Sequence, residues 1–374
     1  MKIVFLSNYF NHHQKPFSDA MYKRLGGDYL FIETSEMKEF RKKLGYGMDS
    51  LPDYVIPAAI TNASFEKIKK IINDADVLIT GAAPEKYIEE RKKQKKLIFR
   101  YSEKVLKNGK EPLKYIPRFI KYHWINRFKK IYLLSAGEFA AKDYRSFALF
   151  RKKAFKWGYF PAIKEYEDID ALISQKEKNS ILWAGRFLTW KHPEACVEVA
   201  KRLKQDGYEF SIDMIGTVKN PDGFMALVCR NGVQDNVRTL GAMPPDKVRE
   251  HMEKSEIYLF TSGEKEGWGA VLNEAMGSAC AVVASDAAGA TSYLIDNGQN
   301  GFSYKSGDVD ELYEKVKQLL DNESVRKSMS KNAYETMKAK WNAEEAAERL
   351  LTVVDAIMNK TSKDIYKDGP CSRA

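Results

Sequence analysis

The chain has 374 residues, 44% of them hydrophobic and 30% charged, with a net charge of +10. That length is too great for one ordinary core and suits two domains, and no apolar run approaches the ~20 residues that a bilayer crossing needs. Cys196, Cys229, Cys280 and Cys371 are scattered without a C-x-x-C pair, which argues against a disulfide framework or a zinc site.

The N-terminus, Met1 to Phe10, reaches polar Asn8 and Asn11 too soon for a secretory leader and reads as a first strand, so a cytoplasmic protein is expected. Apolar runs at Lys2–Ser7, Tyr29–Glu33, Asp76–Thr80, Lys96–Tyr101 and Ile131–Ser135 predict buried strands. Amphipathic segments Phe17–Leu25 and Phe65–Asn73 lie between them. This alternation predicts a mainly parallel sheet with helices on both faces, over residues 1–160. The acid-rich stretch 161–178 shows little apolar periodicity and reads as a linker.

A second alternating series then begins, over 179–342. Strands are expected at Ser180–Ala184, Tyr208–Ile215, Val237–Leu240, Ile257–Ser262 and Ala281–Ser285. Helices are expected at Pro193–Gln205, Asp222–Arg230, Pro245–Lys254 and Ala270–Gly277, followed by two long ones. The last helix, Ala343–Met358, is expected to cross back onto the first domain with residues 343–374. The tail after Asp364 reads as disordered, with Cys371 an exposed thiol. The fold class is therefore α/β, with two Rossmann-like domains facing across a cleft, and ligands in such sheets bind beyond the carboxyl ends of the strands.

Charge is unevenly spread. Residues 91–160 hold 21 lysines and arginines against four acids, a net +17, which leaves about −7 elsewhere. Such a block suits a polyanionic partner: nucleic acid, an anionic membrane or a phosphorylated ligand. A solvated lysine-rich surface is the alternative. Within it, Leu113, Ile116, Ile120, Trp124 and Phe128 fall on one helical face flanked by Lys114, Arg118, Lys121, Arg127 and Lys129. That pattern suits an anionic membrane interface, although Pro117 opposes an unbroken helix.

The stretch from Thr261 to Gly277 carries the most chemistry. A strand ends, an acidic glycine-rich loop follows, and a helix begins. Gly267 and Gly269 let the backbone approach a ligand, and the unpaired N–H groups of the helix start suit a phosphate. Glu266 lies before the helix and Glu274 about two turns into it, and a carboxylate can accept hydrogen bonds from two neighbouring hydroxyls of a sugar or ribose.

Two glutamates with seven residues between them, and Gly-x-Gly after the first, resemble the donor-site signature of family 4 glycosyltransferases, which have the GT-B fold. The downstream text agrees: Ala281 to Asp286, Gly289, Asn297 to Phe302, Gly307-Asp308 opening a helix, and Asn332-Ala333 before Trp341. The resemblance is dense from Asn179 to Trp341 and weaker before. It implies that Glu274 holds the donor ribose and Glu266 contacts the transferred sugar, with Trp268 beside them. It further implies that Gly185, Arg186 and Lys191, after the first strand of the second domain, grip the diphosphate. Cations are needed there because charge builds on the leaving diphosphate. Gly216, Arg238 and Leu240 match the loops that enclose the base.

The first domain departs from the family pattern. The loop Asn8 to Pro16 lacks the usual glycine pair; its His12, His13 and Lys15 either border the donor phosphates or cap the following helix. After the run Leu97–Ser102 the family often places a histidine; here Glu103 stands instead, either orienting the acceptor hydroxyl or serving as an ion-pair partner. The Asp-x-Asp pairs Asp74/Asp76, Asp168/Asp170 and Asp308/Asp310 lack strand-end context, so no metal or other cofactor is expected.

Together these imply a retaining hexosyl- or N-acetylhexosaminyltransferase of bacterial surface-polysaccharide synthesis. Its partners would be a nucleotide-diphosphate sugar, a lipid-linked or saccharide acceptor, and an anionic membrane met through residues 91–160, at the inner face of the plasma membrane, with no nucleic acid. The competing readings are a nucleotide-sugar epimerase on the same scaffold and a basic nucleic-acid-binding protein.

Overall fold

The fold is that of a computed structural model, whose described residues are all except 40, 41, 43, 44, 46, 49, 58–64, 107–128, 363 and 364. The chain divides into two compact units, Met1–Ala162 with Asn342–Ala374, and Ile163–Trp341. Leu113, Ile116, Ile120, Trp124 and Phe128, expected to form an apolar stripe, lie outside the described residues.

Unit 1 is built on a parallel sheet. Among the described residues its strands are β1 (Ile3–Ser7), β2 (Tyr29–Glu33), β3 (Val55–Pro57), β4 (Val77–Thr80), β5 (Leu97–Ser102), β6 (Ile131–Ala136) and β7 (Ala154–Trp157). They lie in the order β3-β2-β1-β4-β5-β6-β7, every pair parallel. Runs such as Ile-Val-Phe-Leu in β1 and Val-Leu-Ile in β4 are apolar at every position because helices cover both faces. Among the described residues up to Ala162 the helices are α1 (Lys15–Leu25), α2 (Phe65–Asp74), α3 (Glu89–Lys93) and α4 (Glu138–Ser146).

Several cations of the basic block hold this fold together. Arg91 is fully buried and donates to the carbonyls of Ile72, Ala75, Asp76 and Leu97 at 2.6–3.0 Å. Burial pushes its guanidinium down to about 10, the nearby Asp76 charge opposing the shift. Lys96 donates to the Asn73 carbonyl, Lys153 to that of Lys129 and Arg145 to that of Ala374, at 2.6–2.8 Å. These charges therefore satisfy helix ends and strand edges, where orphaned carbonyls are costly.

The stretch from Asn342 belongs to unit 1. The Asn342 side chain caps the helix Ala343–Met358 by accepting from the Glu345 N–H, and Ala346, Ala347, Leu350, Val353, Val354 and Ile357 form its buried stripe. This helix packs on α1, with Lys23 and Arg24 paired to Glu344. The final residues correct the expectation of a disordered tail. Cys371 is buried, and residues 371–374 run antiparallel along β7, exchanging Lys156 N to Ser372 O at 2.7 Å and Cys371 N to Lys156 O at 2.9 Å. An edge strand offers unpaired N–H and C=O groups, and this segment takes them.

Unit 2 repeats the plan. Its strands are β8 (Glu177–Ala184), β9 (Ser211–Ile215), β10 (Val237–Gly241), β11 (Ser255–Phe260), β12 (Ala281–Ser285) and β13 (Phe302–Tyr304), in the parallel order β10-β9-β8-β11-β12-β13. The helices are α5 (Ile169–Ser174), α6 (Glu194–Gln205), α7 (Pro221–Arg230), α8 (Pro245–Lys254), α9 (Ala270–Gly277), α10 (Thr291–Leu294), α11 (Val309–Asp321) and α12 (Glu323–Ala339). The strand order reverses direction between β8 and β11, the topological switch at which such sheets bind ligands.

The expected linker is mostly folded onto unit 2. Ile163, Tyr166, Ile169 and Leu172 recur at three-residue spacing and pack with Ile173, Ala279 and Tyr334. Lys176 is buried and donates to the carbonyls of Met252, Glu253 and Ser278 at 2.9–3.1 Å, which anchors the entry to β8.

Candidate functional site

All strands of unit 2 are parallel, so the loops after β8, β9, β10, β11 and β12 open on one edge of the sheet. The turns after β8 and β9 touch backbone to backbone. Gly185 N donates to Ile215 O at 2.9 Å, Gly216 N to Gly241 O at 2.8 Å and Phe187 N to Thr217 O at 3.1 Å. A Cβ on Gly216 would stand 1.7 Å from the Gly185 carbonyl oxygen, at a backbone φ of +150°. Only glycine fits there, which keeps the floor of the site low.

Arg186 follows directly and is exposed, with no ion pair among the described residues. Lys191 sits at the end of a short helical turn, Thr189–Lys191, that is tied to the loop after β11. The Thr261 hydroxyl donates to Lys191 O at 2.5 Å, and Gly263 N donates to Trp190 O at 2.7 Å. Across this seam the Lys191 ammonium is paired with Glu266, both side chains largely shielded. The cation expected to meet a diphosphate and the carboxylate expected to meet a sugar are thus brought together.

Gly269 caps α9 in a left-handed conformation, φ +95°, and a Cβ there would lie 2.3 Å from the Phe260 ring. No side chain caps α9; Leu272 N turns back to Gly269 O at 3.0 Å, and the N–H groups of Ala270 and Val271 stay available to an anion. The loop before it is braced by β12's turn: Gly289 N donates to Gly267 O at 3.2 Å and Ala290 N to Trp268 O at 3.0 Å. Glu274 is half-buried in the second turn of α9. Its charge reaches the buried Tyr258, whose phenol is held well above the ordinary tyrosine range, chiefly by burial.

Two expected donor contacts are corrected. The Trp268 side chain is fully buried, packed against Trp341 and Tyr293, with its indole N–H donated to Asn273 at 2.8 Å. Between two glycines, a large apolar side chain turned inward anchors the loop. Arg238 lies within β10 opposite Asp213 of β9 and donates to both carboxylate oxygens, at 2.7 and 3.0 Å. That bidentate pair raises its pKa and commits the guanidinium to the sheet rather than to a base. Leu240, two residues on, is half-buried near the strand end.

The corresponding edge of unit 1 gathers the other expected residues. In the loop after β1 it is Asn11 that organises the turn: its Oδ1 accepts from His13 N at 2.8 Å and its carbonyl from Gln14 N and Lys15 N at 3.0 Å. Lys15 opens α1 and pairs with Asp19 at 2.5 Å, a helix-start contact. The His12 and His13 rings lie 4.0 Å apart between centroids, tilted by 50°. Glu103 follows β5 directly and accepts a hydrogen bond from the Tyr159 hydroxyl at 2.9 Å. Tyr159 also meets the His13 ring edge-on at 5.7 Å. Sequence reasoning missed Tyr159, Asp213 and Thr261, whose partners lie far along the chain.

Five of the six paired aspartates make structural contacts. Asp168 and Asp308 cap α5 and α11, Asp170 pairs with Lys331, Asp310 with Arg202, and Asp76 accepts from Lys2 N.

Residues 165–336 match the family model for glycosyl transferases group 1. Unit 2 is a glycosyl transferases group 1 domain. This group 1 domain has relatives of low identity. An uncharacterized glycosyltransferase of Methanocaldococcus jannaschii is 27% identical over 169 residues, 45% of this chain and 46% of the relative. The Campylobacter jejuni N-acetylgalactosamine-N,N'-diacetylbacillosaminyl-diphospho-undecaprenol 4-alpha-N-acetylgalactosaminyltransferase is 26% identical over 167 residues, 45% of this chain and 44% of that enzyme. The chain thus spans about half the length of the curated relatives it matches. Over both units, the structure resembles Anabaena HepE, solved in complex with UDP: TM-score 0.70, 14% identity, 95% of this chain and 100% of that one. At that identity the likeness speaks to the fold alone, which is the GT-B type with two Rossmann-like domains.

Proposed function

We propose that the protein is a retaining glycosyltransferase that moves a hexosyl or N-acetylhexosaminyl group from a nucleotide-diphosphate sugar to an acceptor hydroxyl. One observation carries the reading: Arg186, Lys191, Glu266, Glu274 and the uncapped start of α9 share one edge of a parallel sheet, at its switch point. Two cations and a helix start suit a diphosphate; two carboxylates suit hydroxyls.

In this mechanism Arg186 and Lys191 hold the diphosphate, and Glu274 accepts from the ribose hydroxyls. Glu266 accepts from the sugar. The bond between the anomeric carbon and the phosphate oxygen breaks, and its electron pair leaves with the diphosphate, where the cations stabilise the growing charge. The acceptor oxygen bonds the anomeric carbon on the same face, and its proton passes to the departing phosphate oxygen. Glu103 orients that hydroxyl rather than acting as a strong base. No divalent cation takes part.

The acceptor we propose is a lipid-linked saccharide met at the inner face of a bacterial membrane. The diphospho-undecaprenol in the Campylobacter relative's name supports this, as does the basic stretch 91–160. No described helix is long and apolar enough to cross a membrane. The test is calorimetry with UDP, GDP and ADP, then proton NMR of the product in EDTA. Binding of one nucleotide and an unchanged anomeric configuration support the reading; an inverted product, or turnover only with added metal, contradicts it.

A further inference from the structure

We propose that Tyr159 is the positioning residue of the acceptor side, holding the Glu103 carboxylate in place through its hydroxyl. The inference rests on the glycosyltransferase reading and goes beyond it by adding a residue that the motifs do not contain.

Tyr159 lies just past β7, 56 residues from Glu103, yet its hydroxyl donates to Glu103 Oε1 at 2.9 Å. A hydrogen bond to a carboxylate is charge-assisted and directional, so it fixes an orientation as well as a distance. The rest of the Glu103 segment is fastened around it. The Ser102 hydroxyl donates to Glu103 O at 2.9 Å. Asp143 accepts from both Val105 N and Leu106 N at 2.9 Å. The backbone on either side of Glu103 is thus pinned, and Tyr159 pins the side chain itself.

Tyr159 is in turn supported. Its ring packs against Tyr101 at 5.8 Å, and Tyr101 donates to Gly158 O at 3.2 Å. Burial keeps both phenols protonated well beyond the ordinary tyrosine range, so Tyr159 remains a donor throughout neutral and mildly alkaline pH. The same ring meets His13 edge-on at 5.7 Å. One side chain therefore joins the loop after β1 to the loop after β5, the two segments of unit 1 that the reaction needs. A carboxylate misplaced by ~1 Å can cost ~10²-fold in rate.

The experiment compares wild type, Tyr159→Phe, Glu103→Ala and the double variant. UDP-glucose, UDP-N-acetylglucosamine and GDP-mannose serve as donors, membrane lipid extract as the acceptor probe. The expected result is a loss in kcat for transfer approaching ~10²-fold in Tyr159→Phe, with unchanged affinity for the bare nucleoside diphosphate and a melting temperature lowered by no more than a few degrees. In the Glu103→Ala background, Tyr159→Phe should cause no further loss, because the two act as one unit. Wild-type rates in Tyr159→Phe, or additive losses in the double variant, overturn the inference while leaving the transferase reading intact. A wild type that transfers from no donor overturns both.

Discussion

Lys191 and Glu266 form an ion pair across the seam between the loops after β8 and β11, with only 14% and 16% of their side chains exposed. Shielded from water, each charge depends on the other, and a bound diphosphate would join them as a third charge.

Removing the cation should therefore harm both binding and chemistry. Lys191→Met is expected to lower kcat/KM by ~10²–10³-fold, since charge on the leaving group loses a fixed partner. Steady-state kinetics with calorimetry of the bare nucleoside diphosphate check this; an unchanged nucleotide affinity would separate Lys191 from the phosphates.

Gly216→Ala should damage the site from below. The added Cβ has no space beside the Gly185 carbonyl, and the φ of +150° is unfavourable to any side chain. A loss of at least ~2 kcal/mol is expected in urea unfolding, together with weakened nucleotide binding. Equal stability with normal binding would show that the two turns can part without consequence.

Much of this was legible in the sequence. Largely apolar runs such as Val77–Thr80 and Ala281–Ser285, short and rich in β-branched residues, read as strands buried on both faces, and glycines with charges at strand ends marked the edge expected to meet the donor. Other features depended on the fold. β3 and β13 have three residues each, too few for a pattern, and β7 carries Lys156 in its middle. Residues 161–178 looked like a linker because acids hid an apolar side chain at every third position, the first half of the run lying outside any helix. Trp268 and Arg238 fell in motif positions, but a motif does not say which way a side chain turns. Tyr159 was invisible because its partner is set by tertiary structure.

Tyr258 makes stability depend on alkaline pH. Its hydroxyl donates to Ala184 O at 3.1 Å, and burial holds the phenol well above its unfolded value of ~10, Glu274 pushing the same way. A folded value above the unfolded one means that this contribution is whole below pH ~10 and fades as pH rises toward the folded value. Tyr258→Phe should lose ~1 kcal/mol at neutral pH and show a shallower decline between pH ~10 and ~12 in urea titrations. Parallel declines would remove Tyr258 from the alkaline transition.

The central claim is that the edge formed by Arg186, Lys191, Glu266, Glu274 and α9 binds a nucleotide-diphosphate sugar and releases its sugar to an acceptor. The most direct test is release of nucleoside diphosphate from a panel of UDP-, GDP- and ADP-sugars, with and without membrane lipid extract, for wild type and Glu274→Ala. Acceptor-dependent release from one donor, cut by ~10²-fold or more in the variant, is the predicted result. No release from any donor, or equal release by the variant, would contradict it.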